Sequence, residues 1–171
     1  MQSKKPMLMT GLKYGVAGGG LAIVLFVVLW AIKENPLDAG RLFDFFMLPF
    51  FIFFTLKELR DYRQYGRLAY WQGMTAGLLC YTTLALISAL FIFIFLTYGG
   101  TDLLVQHQQE NLAVLTDDPQ TWIEQVGQQA YDKALKEIRE LTALDLALDD
   151  FLKKVLIGLF FTGIITLFFK K

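Results

Sequence analysis

The chain has 171 residues, 55% of them apolar and 19% charged, and its 16 basic and 16 acidic residues cancel. The single cysteine, Cys80, excludes an internal disulfide, and no nucleic-acid partner is expected. Charge is spread unevenly: none falls within residues 15–32, which excludes a soluble globule with charge mixed through its helices.

Four apolar stretches lie at about 11–32, 42–56, 69–98 and 151–169, with one water-soluble insert at 101–150. A helix rising about 1.5 Å per residue crosses ~30 Å of hydrocarbon in about 20 residues. The expected fold is therefore an all-α integral membrane protein. Four transmembrane helices form one domain over 1–171, with an extracytoplasmic helical hairpin between helices 3 and 4.

The first stretch has a basic start in Lys4, Lys5 and Lys13, but no small-x-small cleavage site follows its apolar part. It continues as Lys33-Glu34-Asn35-Pro36 and reads as an uncleaved span. Gly11, Gly15 and Gly19 recur every fourth residue, as Gly73 and Gly77 do in the third stretch. Small residues at that spacing let helix backbones approach, which implies that helices one and three touch, the alternative being that one set forms a contact between copies of the chain.

The second stretch is rich in phenylalanine and carries Pro49, which predicts a kink. Asp44 is the one acid well inside an apolar stretch, and Arg41 three residues earlier predicts an interfacial ion pair rather than a proton relay. The connection that follows is basic, with Lys57, Arg60, Arg63 and Arg67 around Asp61. Such residues attract anionic headgroups, so Arg60, Asp61, Arg63, Arg67 and Gln72 are candidate contacts for lipid or protein.

The third stretch would be about 45 Å long as one helix and must tilt or project beyond the bilayer. Its Thr75, Tyr81, Thr82, Thr83 and Ser88 give it a modest polar character. Tyr14, Trp30, Tyr70, Trp71 and Tyr98 sit at span ends, where amphipathic rings favour the headgroup layer.

Gly99-Gly100 ends that helix and Thr101 is the expected cap of the next, over 101–115. Asp118 before Pro119 predicts a second start. Trp122, Val126, Ala130, Ala134, Ile138 and Leu141 recur at helical spacing, so the second arm is expected to run into the fourth span. Lys153 and Lys154 are expected to snorkel outward from that span's first turn. His107, flanked by glutamines, reads as a solvated side chain.

Nine basic residues lie in the N-terminal arm, the second connection and the tail, on one side if there are four crossings. The insert holds eleven acids between Asp102 and Asp150. Both termini are therefore expected in the cytoplasm and the insert in the periplasm of a bacterial inner membrane. No nucleophile elbow, phosphate-binding loop or metal-ligand cluster occurs, so neither an enzyme nor a bound cofactor or metal is expected.

Arg60-Asp61, Gly66-x-Leu68-Ala69-Tyr70-x-Gln72-Gly73 and Gly77 resemble the bacterial membrane family catalogued as domain of unknown function 4199. The resemblance implies four spans, a basic second connection and an extracytoplasmic insert before the last span. It marks Arg60, Asp61, Gly66, Gln72 and Gly77. The family tends to have a hydroxyl residue where Ala69 stands and alanine where Gly73 stands, so the cap of helix three should be weaker and its packing tighter. The resemblance implies no activity.

The expected role is that of an accessory, scaffold or assembly protein that touches lipid and either a protein partner or further copies of itself. The alternative is a small oligomeric transporter or channel, supported by the polar third span, Pro49 and Asp44.

Overall fold

A computed structural model describes residues 5–63, 66 and 68–169; the side chains of residues 6, 39–42, 44, 45, 62 and 63 lie outside that description. The described residues are almost wholly helical, and each helix starts and stops for a local reason.

Helix α1, Lys5–Ala31, ends where backbone groups fold back on its last turn. Lys33 N–H donates to Trp30 O at 3.1 Å and Glu34 N–H to Leu29 O at 3.0 Å. This is a Schellman closure with Lys33, at φ 64°, in the left-handed position that glycine usually fills. Helix α2, Pro36–Glu58, starts on Asn35, whose side-chain oxygen accepts from Leu37 N–H at 3.0 Å. Pro49 lies inside it without interrupting it, and a π-helical turn, Leu59–Arg63, widens its end.

Helix α3, Tyr70–Tyr98, begins with half a capping box. Gln72 Oε1 accepts from Ala69 N–H at 3.0 Å, while Ala69 has no hydroxyl to return the bond.

The insert forms three helices rather than two arms: α4 (Thr101–Asp117), α5 (Pro119–Val126) and α6 (Gln128–Arg139). Gly100, not Thr101, is the cap position of α4 and makes no side-chain cap bond. Asp118 caps α5 by accepting from Thr121 N–H at 3.2 Å, with Pro119 in the first turn. The Thr121 hydroxyl also donates to it, and these bonds hold its carboxyl below the usual aspartate range. Gly127, at φ 85° and ψ 155°, divides the second arm, because that backbone region is essentially closed to residues with a Cβ.

The second arm does not run into the last helix. Helix α7, Ala143–Phe169, has its own start, where Thr142 N–H donates to Asp145 Oδ2 at 2.9 Å and Asp145 N–H to Thr142 Oγ1 at 3.3 Å.

Among the described residues, three helices are long and apolar enough to cross a membrane: α1 over Met7–Ala31, α3 and α7. Helix α2, several of whose residues lie outside the side-chain description, carries Asp38 in its first turn and Lys57 and Glu58 at its end.

The chain divides into two compact units: Met1–Phe91 with Leu148–Lys171, and Ile92–Ala147. In the first unit α2 runs antiparallel to α1, since Lys13 meets Glu58 and Gly18 meets Phe51. Its core is built from Leu48, Ile52 and Leu56 of α2 with Ala76, Cys80, Tyr81 and Leu84 of α3, all buried. In the second unit Gln108 Nε2 on α4 donates to Leu141 O at 2.8 Å, and Tyr131 on α6 donates to Leu115 O at 3.4 Å. His107 is 3% exposed on the face of α4 that also carries buried Leu103, so it is not the solvated side chain expected from its glutamine neighbours.

Lys33 makes the clearest stability test. A non-glycine residue in the left-handed region costs about 1–2 kcal/mol. Lys33→Gly should raise the thermal unfolding midpoint in detergent, provided the Schellman closure forms there.

Candidate functional site

The contact of α7 with α3 repeats every fourth residue. Asp150, Lys154, Gly158, Thr162 and Thr166 form one stripe along α7. A Cβ added at Gly73 would stand 2.5 Å from Thr166 Cγ2, and one at Gly77 would stand 2.3 Å from Thr162 Cγ2. The sense then inverts, for a Cβ at Gly158 would stand 2.4 Å from Tyr81 Cγ. Each level thus opposes a glycine to a larger side chain, so two helices without a hydrophobic force between them in lipid can still interlock.

The hydroxyls of Thr162 and Thr166 are buried without a conventional hydrogen-bond partner, as is that of Thr10. The added Cβ positions lie 2.8 Å from Thr162 Oγ1 and 3.0 Å from Thr166 Oγ1, so the glycines turn a Cα–H towards each oxygen. Weak Cα–H···O contacts of this kind recur at close helix crossings.

Further along the same stripe lies a buried charge pair. The Lys154 ammonium donates to Asp150 Oδ1, and Ser88 Oγ on α3 donates to Asp150 Oδ2 at 3.0 Å. The Lys154 side chain is 4% exposed and that of Asp150 19%. Lys154 therefore does not snorkel outward. It points into the helix contact, because a carboxylate one turn earlier and a hydroxyl across the seam satisfy the charges there. Lys153 pairs with Asp149 at about half exposure. Taking one partner from a buried pair commonly costs about 3–5 kcal/mol, since the other charge is left stranded.

The two glycine sets do not face one another. Gly11 and Gly15 of α1 lie against the backbone carbonyls of Ala76 and Cys80 on α3, a Cβ standing 2.7 Å from each, and Gly19 lies against Ile87. Helices one and three are thus in contact through the glycines of α1, while Gly73 and Gly77 serve the contact with α7.

One end of this unit gathers a group of charged and polar side chains. Lys13 pairs with Glu58 at 2.6 Å, and the Tyr14 hydroxyl donates to the same carboxylate oxygen at 2.9 Å. Arg60 Nε donates to Asp61 Oδ1 at 2.7 Å, and its guanidinium lies 4.7 Å from the Phe169 ring centroid. Gly66, at φ 81°, donates its N–H to Arg60 O at 2.8 Å and turns the chain towards α3. Gln72 is buried at the start of that helix. The side chains of Asp44 and Arg63, and Arg67 altogether, lie outside the described residues.

These positions fall within a family match that covers residues 13–171 and is described as Protein of unknown function (DUF4199). The chain belongs to that family. No curated protein and no solved structure matches it.

The resemblance gave this DUF4199 chain a weak cap at Ala69 and a close contact at Gly73, and both have a visible counterpart. Gln72 supplies the half of the capping box that needs no hydroxyl at residue 69. Thr166 occupies the space an alanine methyl at residue 73 would need. Apolar length alone does not reveal the Ser88–Asp150–Lys154 cluster, because the fourth apolar stretch begins only at Phe151. The signal was present: the four-residue period of Gly158, Thr162 and Thr166 extends back through Lys154 to Asp150.

The seam makes a two-step prediction. Gly77→Ala drives a methyl onto the stiff β-branched side chain of Thr162, an overpacking that costs about 1–3 kcal/mol. Adding Thr162→Ser removes the Cγ2 that clashes and should recover most of that loss, as read by thermal unfolding in detergent.

Proposed function

We propose that the protein is a non-enzymatic accessory, scaffold or assembly subunit of a bacterial inner membrane, acting through protein contacts made by its insert. The observation that carries this is the thin core of the insert. Of residues 101–142, only Leu103, His107 and Tyr131 are buried, α5 has no buried residue, and Val105, Val114 and Val126 are 48%, 63% and 51% exposed. A segment of about 40 residues without disulfides or a metal seldom holds a fold alone. A protein partner is the natural complement for half-buried apolar helices tethered at both ends.

In this reading α2 is a fourth crossing. Its 23 residues span about 34 Å, and Phe46, Phe50 and Phe53 are 75%, 56% and 40% exposed on the face away from the core, as a lipid-facing side would be. Four crossings place both termini with the basic end groups in the cytoplasm and the insert in the periplasm. The aromatic residues agree. Tyr70 and Tyr98 stand about 42 Å apart along α3, close to the ~40–45 Å thickness of a bilayer with its headgroups, so neither a large tilt nor a long projection is needed.

Affinity purification from the native membrane tests the role. Replacing residues 101–141 by a short Gly-Ser linker keeps Thr142, Asp145 and Asp150 in place. A stoichiometric protein that co-purifies with the full chain should be lost from this variant, and also from Val114→Glu combined with Val126→Glu. Retention of the same proteins in both variants would refute the reading.

The charge pair supports a second reading, a small transporter, because ionisable groups facing the interior of a membrane bundle commonly mark a substrate or ion path. Asp150→Asn combined with Lys154→Met removes both charges without stranding either. If the protein carries an ion, flux in reconstituted vesicles should fall to the protein-free level in this variant. Flux that persists would remove the pair from any such path.

A further inference from the structure

We infer that the Ser88–Asp150 hydrogen bond is the register lock of α7 on α3, with Lys154 compensating the carboxylate charge it requires. The inference begins with a degeneracy in the seam. Its four-residue period means that α7 displaced by one turn brings a small or hydroxyl residue to both glycines of α3 in one direction and to Gly77 in the other. Moved one way, Gly73 meets Thr162 and Gly77 meets Gly158; moved the other way, Gly77 meets Thr166. The glycine half of the seam therefore selects poorly between registers.

Ser88 removes the ambiguity. It is the α3 residue that donates across the seam to the pair, at 3.0 Å to Asp150 Oδ2. Helix α3 carries no charged residue from Tyr70 to Tyr98 and α1 none from Tyr14 to Ala31, so neither offers the carboxylate an alternative ionic partner along those lengths. A one-turn displacement sets Leu146 or Lys154 opposite Ser88 and leaves Asp150 facing apolar α3.

Depth adds to the penalty. Ser88 lies about 27 Å along α3 from Tyr70, with a further apolar run from Ala89 to Leu96 beyond it. Asp150 keeps Lys154 in every register, but a displaced register leaves its second oxygen without the Ser88 hydroxyl at a level that faces hydrocarbon rather than water. Buried polar groups have their best-attested use in fixing register of this kind. Tyr81 against Gly158 is the competing device, a steric stop at the next contact, and the test must separate the two.

Cysteine cross-linking in native membranes reads the register directly, in a Cys80→Ala background. A Cβ at Gly77 stands 3.2 Å from Thr162 Cβ, close to the ~3.5–4.5 Å of a disulfide. Gly77→Cys with Thr162→Cys therefore reports the native register. Gly77→Cys with Gly158→Cys, and Gly77→Cys with Thr166→Cys, report displacement by one turn in either direction. Each pair is examined with Ser88 intact, with Ser88→Ala, with Asp150→Leu plus Lys154→Leu, and with Tyr81→Ala.

With Ser88 intact, only the native pair should cross-link. Ser88→Ala should raise the displaced-to-native ratio about tenfold, the population shift expected on losing a hydrogen bond to a charged group. The double leucine variant should do the same. Ser88→Ala keeps the ion pair within α7, so the test stands even if the double variant fails to accumulate. Native cross-linking alone in Ser88→Ala, or displacement only in Tyr81→Ala, would overturn the inference and assign the register to Tyr81–Gly158.

Discussion

Close approach to α3 is the constraint on which the membrane unit depends. This helix carries no formal charge over its 29 residues, so it cannot hold its neighbours by long-range attraction, and lipid offers no hydrophobic force between helices. What remains is contact at short range. The glycines of α1 meet the carbonyl oxygens of Ala76 and Cys80, while the glycines of α3 meet the threonines of α7. Leu84 reaches towards Gly18 of α1, and Leu48, Ile52 and Leu56 of α2 join the same core. Dispersion falls away within a fraction of an ångström, so such an assembly tolerates little change in side-chain volume along its seams.

The same constraint explains where polarity is kept. A hydroxyl facing hydrocarbon would be expensive, yet Thr10, Thr162 and Thr166 are buried without conventional partners. At two of them a glycine Cα–H lies against the oxygen, which lowers that expense without a second polar group in the seam. At the far end of the stripe the solution is different. Asp150 receives a full charge partner from its own helix and a hydroxyl from the next. Weak contacts serve where backbones nearly touch, and a strong bond serves where Ser88 and Asp150 project far enough to reach each other.

How much of this was legible in the sequence depended on whether the signal was local. The end of the first apolar stretch, the start at Asp118-Pro119 and the apolar lengths of α1, α3 and α7 each rest on a few neighbouring residues, and those features are where the residues placed them. The direction of a glycine is not local. Gly73 and Gly77 have no side chain to reveal which neighbour they admit, and only the opposing threonines assign them to α7. The charge pair was obscured for another reason. A boundary drawn at the first apolar residue assigns every charge before it to water. Periodicity would have been the better guide, since Asp150 and Lys154 share the spacing of the buried residues that follow. The insert was misread as two arms because apolar spacing continues across Gly127 and Thr142, whereas the backbone does not.

Helix α7 joins these two kinds of feature in one element. Its first turn is capped by Thr142, which directly follows the insert, and its stripe of Asp150, Gly158, Thr162 and Thr166 meets Ser88, Tyr81, Gly77 and Gly73 of α3. A separate cap at Thr142 gives α7 its own start rather than making it the tail of α6. Sliding of α7 along α3 is opposed by the contacts of its stripe. Glycine against threonine resists it weakly, because the pattern repeats one turn away. The bond from Ser88 to Asp150 resists it strongly, because it has no counterpart one turn away. A contact built on a repeating small-residue pattern is thus given a single position by one polar bond inside the membrane unit.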